Sequence, residues 1–427
     1  MAPMKRYCLV VLLLELSFFS LSGQDWDLAL KLAPKDALLL ADNVPVYPIT
    51  IETPEAVRLY RFTARFPEVL KLSAPGYRDR LLRHPSLSGP LSRLRPRMDL
   101  QVKLEPRSSS LGFIGFIQTG SQPKSVLFVE GGRRIATALL DGSGIEVFDS
   151  SSFEAVASSS PALNDADRLG FVEMVELPER RELWVSQMTT GKIHIFETGA
   201  YRFKQSISAG GRWPKVLITD PSHSKVYVSH WTGRSVAEID VATRRVLRTF
   251  SVDGIPRGMA ISPDGEKLYI ANFSDGNIEV VDLCTGEGHS IETGPGAMRH
   301  LVIDTAGRRL YFSDMYYGSV GSIDTRTERL LWRRRIGSNV NTIALDSQER
   351  CLYASVRGKN GPRGYLYAGD EFGSLVRLDA RSGRVLDMVW GGNQPTGLDL
   401  SPDGSLLAFS DFLDHRLELY QVEENAP

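Results

Sequence analysis

The chain has 427 residues, with 50 Lys and Arg against 51 Asp and Glu, so its formal net charge is −1. That balance removes the basic footprint expected of a nucleic-acid binder. Aromatic content of 9% and 38 glycines suit many short strands joined by tight turns, and the length exceeds what a single hydrophobic core usually serves.

At the start, Lys5 and Arg6 precede an apolar run from Tyr7 to Leu21, followed by the small residues Ser22 and Gly23. This predicts a secretory signal over residues 1–23, cut near Ser22 or Gly23. The run contains Glu15 and is shorter than the roughly 20 residues that span a bilayer. An uncleaved anchor is the lesser alternative, and the mature protein is expected to keep no stable membrane span. Residues 24–43 carry an apolar stretch, Leu28 to Leu40, broken by Pro34, which reads as a short helix or an extended arm.

From 44 to 107 the pattern changes to short alternating segments: Ile49–Thr53, Ala56–Phe62, Val69–Leu82 and Asp99–Pro106. Such alternation predicts half-exposed antiparallel strands. The stretch is basic, with 12 Lys and Arg against 4 Asp and Glu between Arg58 and Arg107. On Leu72-Ser73-Ala74-Pro75-Gly76-Tyr77 and the closing Val102-Lys103-Leu104-Glu105-Pro106 it resembles a small β-sandwich of the PEGA or carboxypeptidase-regulatory type. The resemblance implies an adhesive or spacer module.

Beyond a Ser-rich linker at 107–110 the chain repeats. Lys225–Gly254, Lys267–Gly296 and Arg309–Ser338 each give an apolar strand, a Gly-containing turn and a second strand closing on Asp. Asp240, Asp282 and Asp324 mark the register at 42-residue steps. A period of that length with four short strands per unit is a β-propeller signature. Seven units follow from the spacing, the sixth carrying a 13-residue insertion between Tyr353 and Asp379. The last unit stops after its third strand, and Leu111–Gly120 has the pattern of the missing fourth. The fold class is therefore all-β: a seven-bladed propeller over 108–427, closed by an N-terminal strand and preceded by the small sandwich. SPDG turns at Ser262–Gly265 and Ser401–Gly404, with Leu268–Asn272 after the first, resemble the YVTN family of propellers. The lactonase-like propellers are similar too, and Leu310–Asp324 resembles YWTD and NHL repeats. One such fold hosts unrelated activities.

Of the three cysteines, Cys8 lies in the signal, while Cys284 and Cys351 fall two blades apart. That separation exceeds the reach of a disulfide and predicts two free, buried thiols.

Labelling each blade's strands A to D from the axis outward, the D-to-A and B-to-C connections share one end of the propeller. The A-to-B and C-to-D turns share the other. The second end carries plain turns. The first collects Trp213, Trp231, Arg257, Phe273, Arg299, His300, Asp314, Tyr316, Tyr317, Asn341 and Gln394. It also bears the two long departures from the repeat, Ser158–Leu169 and Arg357–Phe372, the latter with Arg363 and Tyr365. Long connections on a regular scaffold favour function, so these residues form the expected ligand or partner surface. His300, Arg299 and Asp314 are the candidate acid/base set should the protein be a lactonase-type hydrolase. Calcium through Asp314, Asp411 and Asn272 is disfavoured because they come from different blades. The preferred expectation is an exported, monomeric binding or scaffold protein of the periplasm or cell surface, with an envelope protein or glycan as partner and no cofactor.

Overall fold

The computed structural model describes residues 26–33, 38–41, 44–46, 48, 50–52, 57–62, 70–73, 80–82, 97–103, 110–161, 169–361, 363–367 and 372–423. Two compact units divide the chain, Met1–Leu104 and Glu105–Pro427. The predicted signal, the Ala74–Tyr77 half of the sandwich motif and the cores of both loop departures lie outside the described residues.

The first unit holds two four-stranded sheets. One runs Thr50–Glu52, Val57–Phe62, Trp26–Ala33, Arg97–Lys103, and the other Val44–Val46, Leu38–Ala41, Leu70–Ser73, Arg80–Leu82. Residues 24–43, expected as a helix or arm, therefore contribute two strands. Trp26–Ala33 pairs antiparallel with Val57–Phe62 and parallel with Arg97–Lys103, and successive residues from Ala29 to Leu32 are all buried. A strand covered on both faces reads as a continuous apolar run, which periodicity does not separate from a helix.

The second unit is the seven-bladed propeller. Its innermost strands are Pro123–Val129, Phe171–Leu177, Pro214–Thr219, Pro256–Ile261, Met298–Ile303, Val340–Leu345 and Pro395–Leu400, for blades 1 to 7 in order. Adjacent innermost strands contact one another all the way round, blade 7 against blade 1 included. Leu111–Gln118 pairs with Arg416–Val422, from Gln118 opposite Arg416 to Leu111 opposite Val422. The N-terminal strand thus supplies the outer edge of the last blade. The insertion of blade 6 separates Cys351–Val356 from Ser374–Asp379.

The repeating Asp has a physical cause. Asp240 accepts the backbone N–H and hydroxyl of Thr243, both at 2.6 Å, and Asp282 accepts those of Thr285 at 2.7 and 3.1 Å. Thr327 does the same for Asp324, and Ser382 for Asp379. A carboxylate followed three residues later by Thr or Ser satisfies the N–H groups that the C-to-D turn would leave unpaired. Between blades the core is apolar: Val216, Val236 and Phe250 of blade 3 pack with Met259, Leu268 and Ile270 of blade 4. Cys351 is buried, with Nε of Arg377 donating to its Sγ at 3.3 Å. Cys284, expected inside, is exposed, because it occupies the C-to-D turn that Asp282 caps.

Candidate functional site

Each innermost strand opens in the same irregular way. Its pairing with strand B shifts register after the first residue: between Pro123 and Ser125, Pro214 and Leu217, Pro256 and Met259, Met298 and His300, and likewise in blades 2, 6 and 7. A bulge re-aims the side chains beside it. The residue just after the first is Lys124, Val172, Lys215, Arg257, Arg299, Asn341 and Thr396 in blades 1 to 7. Four of the seven are cations, and Lys215, Arg257, Arg299 and Asn341 recur at steps of 42.

A serine near the end of strand B holds this level in place. Ser186 donates to the carbonyl of Lys215 at 2.8 Å, Ser229 to that of Arg257 at 2.9 Å, Ser313 to that of Asn341 at 2.6 Å and Ser355 to that of Thr396 at 2.9 Å. Each bond runs from one blade to the next, so the ring residues are fixed by their neighbours as well as by their own strands.

Arg357, which begins the blade 6 insertion, joins this cluster. It contacts Gln394 through Nη2, and its guanidinium lies 5.1 Å from the Tyr365 ring. Arg257 lies 4.6 Å from the Trp231 ring and 5.4 Å from Phe273, whose ring centroids are 4.9 Å apart. Lys215 contacts Met188 and sits 5.7 Å from Trp231, and Lys124 is 5.0 Å from the ring of Phe412. The aromatic faces partly offset the cost of burying these charges.

The charges act on one another across the ring. Burial, then Arg357, Arg299, Arg257 and Lys215, hold the Lys124 amine well below the usual lysine range. Burial followed by Arg257 and Arg299 does the same to Lys215, and burial with Arg299 nearby brings Arg357 down to about 10, against an opposing effect of Tyr365. Glu173, one residue past the ring in blade 2, is the carboxylate that answers Lys215, Arg257 and Arg299. Its own burial raises its carboxyl above the usual range. Arg299 is only 1% exposed, and its Nε and Nη1 find no hydrogen-bond partner. The buried Nε of Arg357 and both amide atoms of Asn341 are likewise without partners. His300 follows Arg299, and burial with Arg299 and Arg257 close by pushes its imidazole down to about 3, so it is neutral at physiological pH.

Of the residues expected at this end, the structure brings Trp231, Arg257, Phe273, Arg299, His300, Asn341, Tyr365 and Gln394 to the channel mouth. Trp213 lies at the rim, 42% exposed, with a φ of 57° that bulky residues rarely adopt. Arg363 stacks on Tyr367, 4.4 Å away, within the insertion. Tyr316 and Tyr317 lie at the same end, in the B-to-C turn of blade 5, but outside the ring: they line a groove of about 510 Å³ with Thr293, Arg333 and Arg335.

Asp314 is not available as an acid or base. It is buried, contacts Arg333, and accepts the backbone N–H groups of Ala297 and Tyr316 at 2.9 Å each. It organises the connection rather than pairing with His300, which leaves the candidate hydrolase set without its carboxylate. Asp411 is bound in the same way by Gly392 N–H and Arg416. Among the described residues no group of three or more His, Cys, Asp or Glu is placed to hold a metal.

Sequence reasoning missed Lys124, Glu173 and the roles of Lys215 and Arg357. The signal was present for the first and third: Pro123-Lys124 repeats Pro214-Lys215 and Pro256-Arg257. Arg357 and Glu173 break the repeat, and only the tertiary fold brings them to the ring.

No family model matches the chain. The propeller of a Kuenenia stuttgartiensis hydrazine synthase chain superposes with a TM-score of 0.62 at 16% identity, over 74% of this chain and all of that one; at that identity the likeness is one of fold. Antigen Lp49 of Leptospira interrogans serogroup Icterohaemorrhagiae serovar copenhageni is 35% identical over 363 residues, covering 82% of this chain and 77% of the relative. Identity at that level over most of both sequences shows kinship, and the chain belongs to the family of antigen Lp49.

Proposed function

We propose that this is an exported binding protein whose working surface is the propeller end formed by the D-to-A and B-to-C connections. It acts in the periplasm or at the cell surface, and its first unit serves as an adhesive or spacer module. The predicted signal and the kinship with a bacterial antigen support export. One observation carries the binding assignment: cations from five blades, with aromatics beside them, meet at one channel mouth, with buried donors lacking protein partners. Native proteins rarely leave such groups unpaired without a purpose. A sealed Asp314 and a His300 too weakly basic to take up a proton favour recognition over hydrolysis.

The test compares capture of envelope components, separated into protein and glycan fractions, by the mature protein and by two variants. Arg257→Ala/Trp231→Ala alters the proposed face, and Glu266→Ala/Arg308→Ala alters exposed positions at the other end. Loss of capture confined to the first variant, with its melting temperature kept, supports the reading. Loss confined to the second would mean that the wrong end has been chosen.

A further inference from the structure

The chemistry of the channel mouth identifies what enters it. Five cations, Lys124, Lys215, Arg257, Arg299 and Arg357, face a single carboxylate, Glu173, among the described residues of this cluster. A surface charge run would be solvated and mean little. Here Lys124, Arg299 and Arg357 are almost wholly buried. The donors left over are guanidinium N–H groups of Arg299 and Arg357 and the amide N–H of Asn341, from the adjoining blades 5 and 6, with Oδ1 of Asn341 and Nδ1 of His300 also unpartnered. Guanidinium forks match planar or tetrahedral oxyanions, and an uncompensated buried cation is costly until an opposite charge arrives. Neighbouring Arg257 already lies against the paired rings of Trp231 and Phe273, so its charge is pre-placed and loses little freedom on binding.

We infer that the channel mouth is a site for a compact oxyanion carrying at least two negative charges, a phosphoryl or polycarboxylate group, held by Arg299 and Arg357 and surrounded by Lys124, Lys215 and Arg257. This deepens the binding reading above and rests on it for the choice of end. Asn341 supplies a neutral donor beside Arg299, and the aromatic rim excludes water from the charged contacts. Glu173 is the counterion of the ligand-free state. Removing its charge strengthens the field on the incoming anion and worsens the repulsion among the cations when no anion is bound.

The experiment uses the full mature chain with sodium pyrophosphate and sodium citrate as probes, against sodium chloride at matched ionic strength. Calorimetry reads affinity and stoichiometry, and thermal unfolding reads stabilisation. The expected result is one molecule of pyrophosphate or citrate bound per chain, with a raised melting temperature. Preference for the first assigns a phosphoryl ligand, and preference for the second a polycarboxylate. Arg299→Met and Arg357→Met should each weaken binding roughly ten- to a hundredfold, as expected for a charge-assisted hydrogen bond. Arg299→Met should also melt no lower than the parent without ligand, because it removes an unpaired buried charge. Glu173→Gln should bind several-fold more tightly and melt lower when ligand-free. Arg308→Ala should change nothing. Should Arg299→Met fail to fold, Arg357→Met and Glu173→Gln still decide. The inference is overturned if neither anion shifts the melting temperature beyond chloride, or if the shift survives both Arg→Met changes. In that event, capture still lost in Arg257→Ala/Trp231→Ala would leave the choice of face standing. Loss of both results would remove the reading with the inference.

Discussion

The two ends of the propeller are made by the same repeat, yet they treat charge in opposite ways. At the A-to-B and C-to-D end, acidic and hydroxyl side chains close the innermost strands and are bound by backbone. Asp220 accepts the N–H of Lys225 at 2.7 Å, Asp304 that of Arg309 at 3.0 Å and Asp346 that of Cys351 at 3.0 Å. Ser262 and Ser401 fill the same role for Lys267 and Leu406, each at 2.9 Å. At the other end the same strands carry Lys215, Arg257 and Arg299 in blades 3 to 5 and Asn341 and Thr396 in blades 6 and 7, and buried donors of Arg299, Arg357 and Asn341 have no partner. A turn consumes the polar groups it needs for its own geometry. Polar groups left over at the opposite end are explained by a ligand better than by the fold.

Four changes break or sharpen that contrast. The largest effect concerns the scaffold both ends share. Deleting residues 24–107 is expected to leave a folded propeller, whereas extending the deletion through Gly120 removes Leu111–Gln118 and exposes the edge of Arg416–Val422 in blade 7. Gel filtration of the two truncations checks this. Equal, monodisperse behaviour would refute closure by the N-terminal strand.

Next comes a half-buried carboxyl on the innermost strand of blade 7. Asp399 accepts the N–H of Phe128 at 2.7 Å, joining blade 7 to blade 1, and burial raises its carboxyl to about 7. A folded pKa above the unfolded value of 3.8 means that the protonated carboxyl is favoured in the folded state. Stability is then full below about pH 4 and declines as pH rises toward 7. Asp399→Asn should remove that decline and stabilise the protein at pH 8 by an amount on the order of a few kcal/mol. Unfolding in urea at pH 4 and pH 8 reads it, and a pH-independent difference between the two proteins would rule it out.

His194 shows the opposite slope. It is fully buried, bonded through Nδ1 to Ser206 and Nε2 to Gln187 at 2.8 Å each, and burial lowers its imidazole from 6.5 to about 4. Its contribution is complete above pH 6.5 and is lost as pH falls toward 4. His194→Gln should therefore flatten the acid limb of the stability profile between those values, even if it lowers stability at pH 7 by about 1–2 kcal/mol. An unchanged acid limb would count against this assignment.

Smallest of all is the turn end itself. Asp379→Ala removes the acceptor for Ser382 and should lower the melting temperature by about 1–3 °C without touching anion affinity. A fall in affinity would mean that the two ends are coupled through the blade.

Much of this was decided by sequence. The Asp240, Asp282, Asp324 register, the count of seven blades and the assignment of Leu111–Gly120 to the last blade all follow from periodicity, because a β-meander repeats its polar punctuation wherever its turns repeat. Even the cationic ring is written at 42-residue steps in Lys215, Arg257 and Arg299. What periodicity omits is everything that breaks it. Arg357 stands at the repeat position that holds Trp231, Phe273 and Phe412 in other blades, a change of residue type that register alone does not flag, and Glu173 reaches the mouth beside a bulge; Asp314 looks like a free acid until Arg333, from the outer strand of its own blade, is seen against it. Trp26–Ala33 became a central strand rather than an arm because partners on both edges claimed its hydrogen bonds. Local pattern sets which way a residue faces along its own strand; which charges meet, and which are left without a partner, is settled by neighbours distant in sequence.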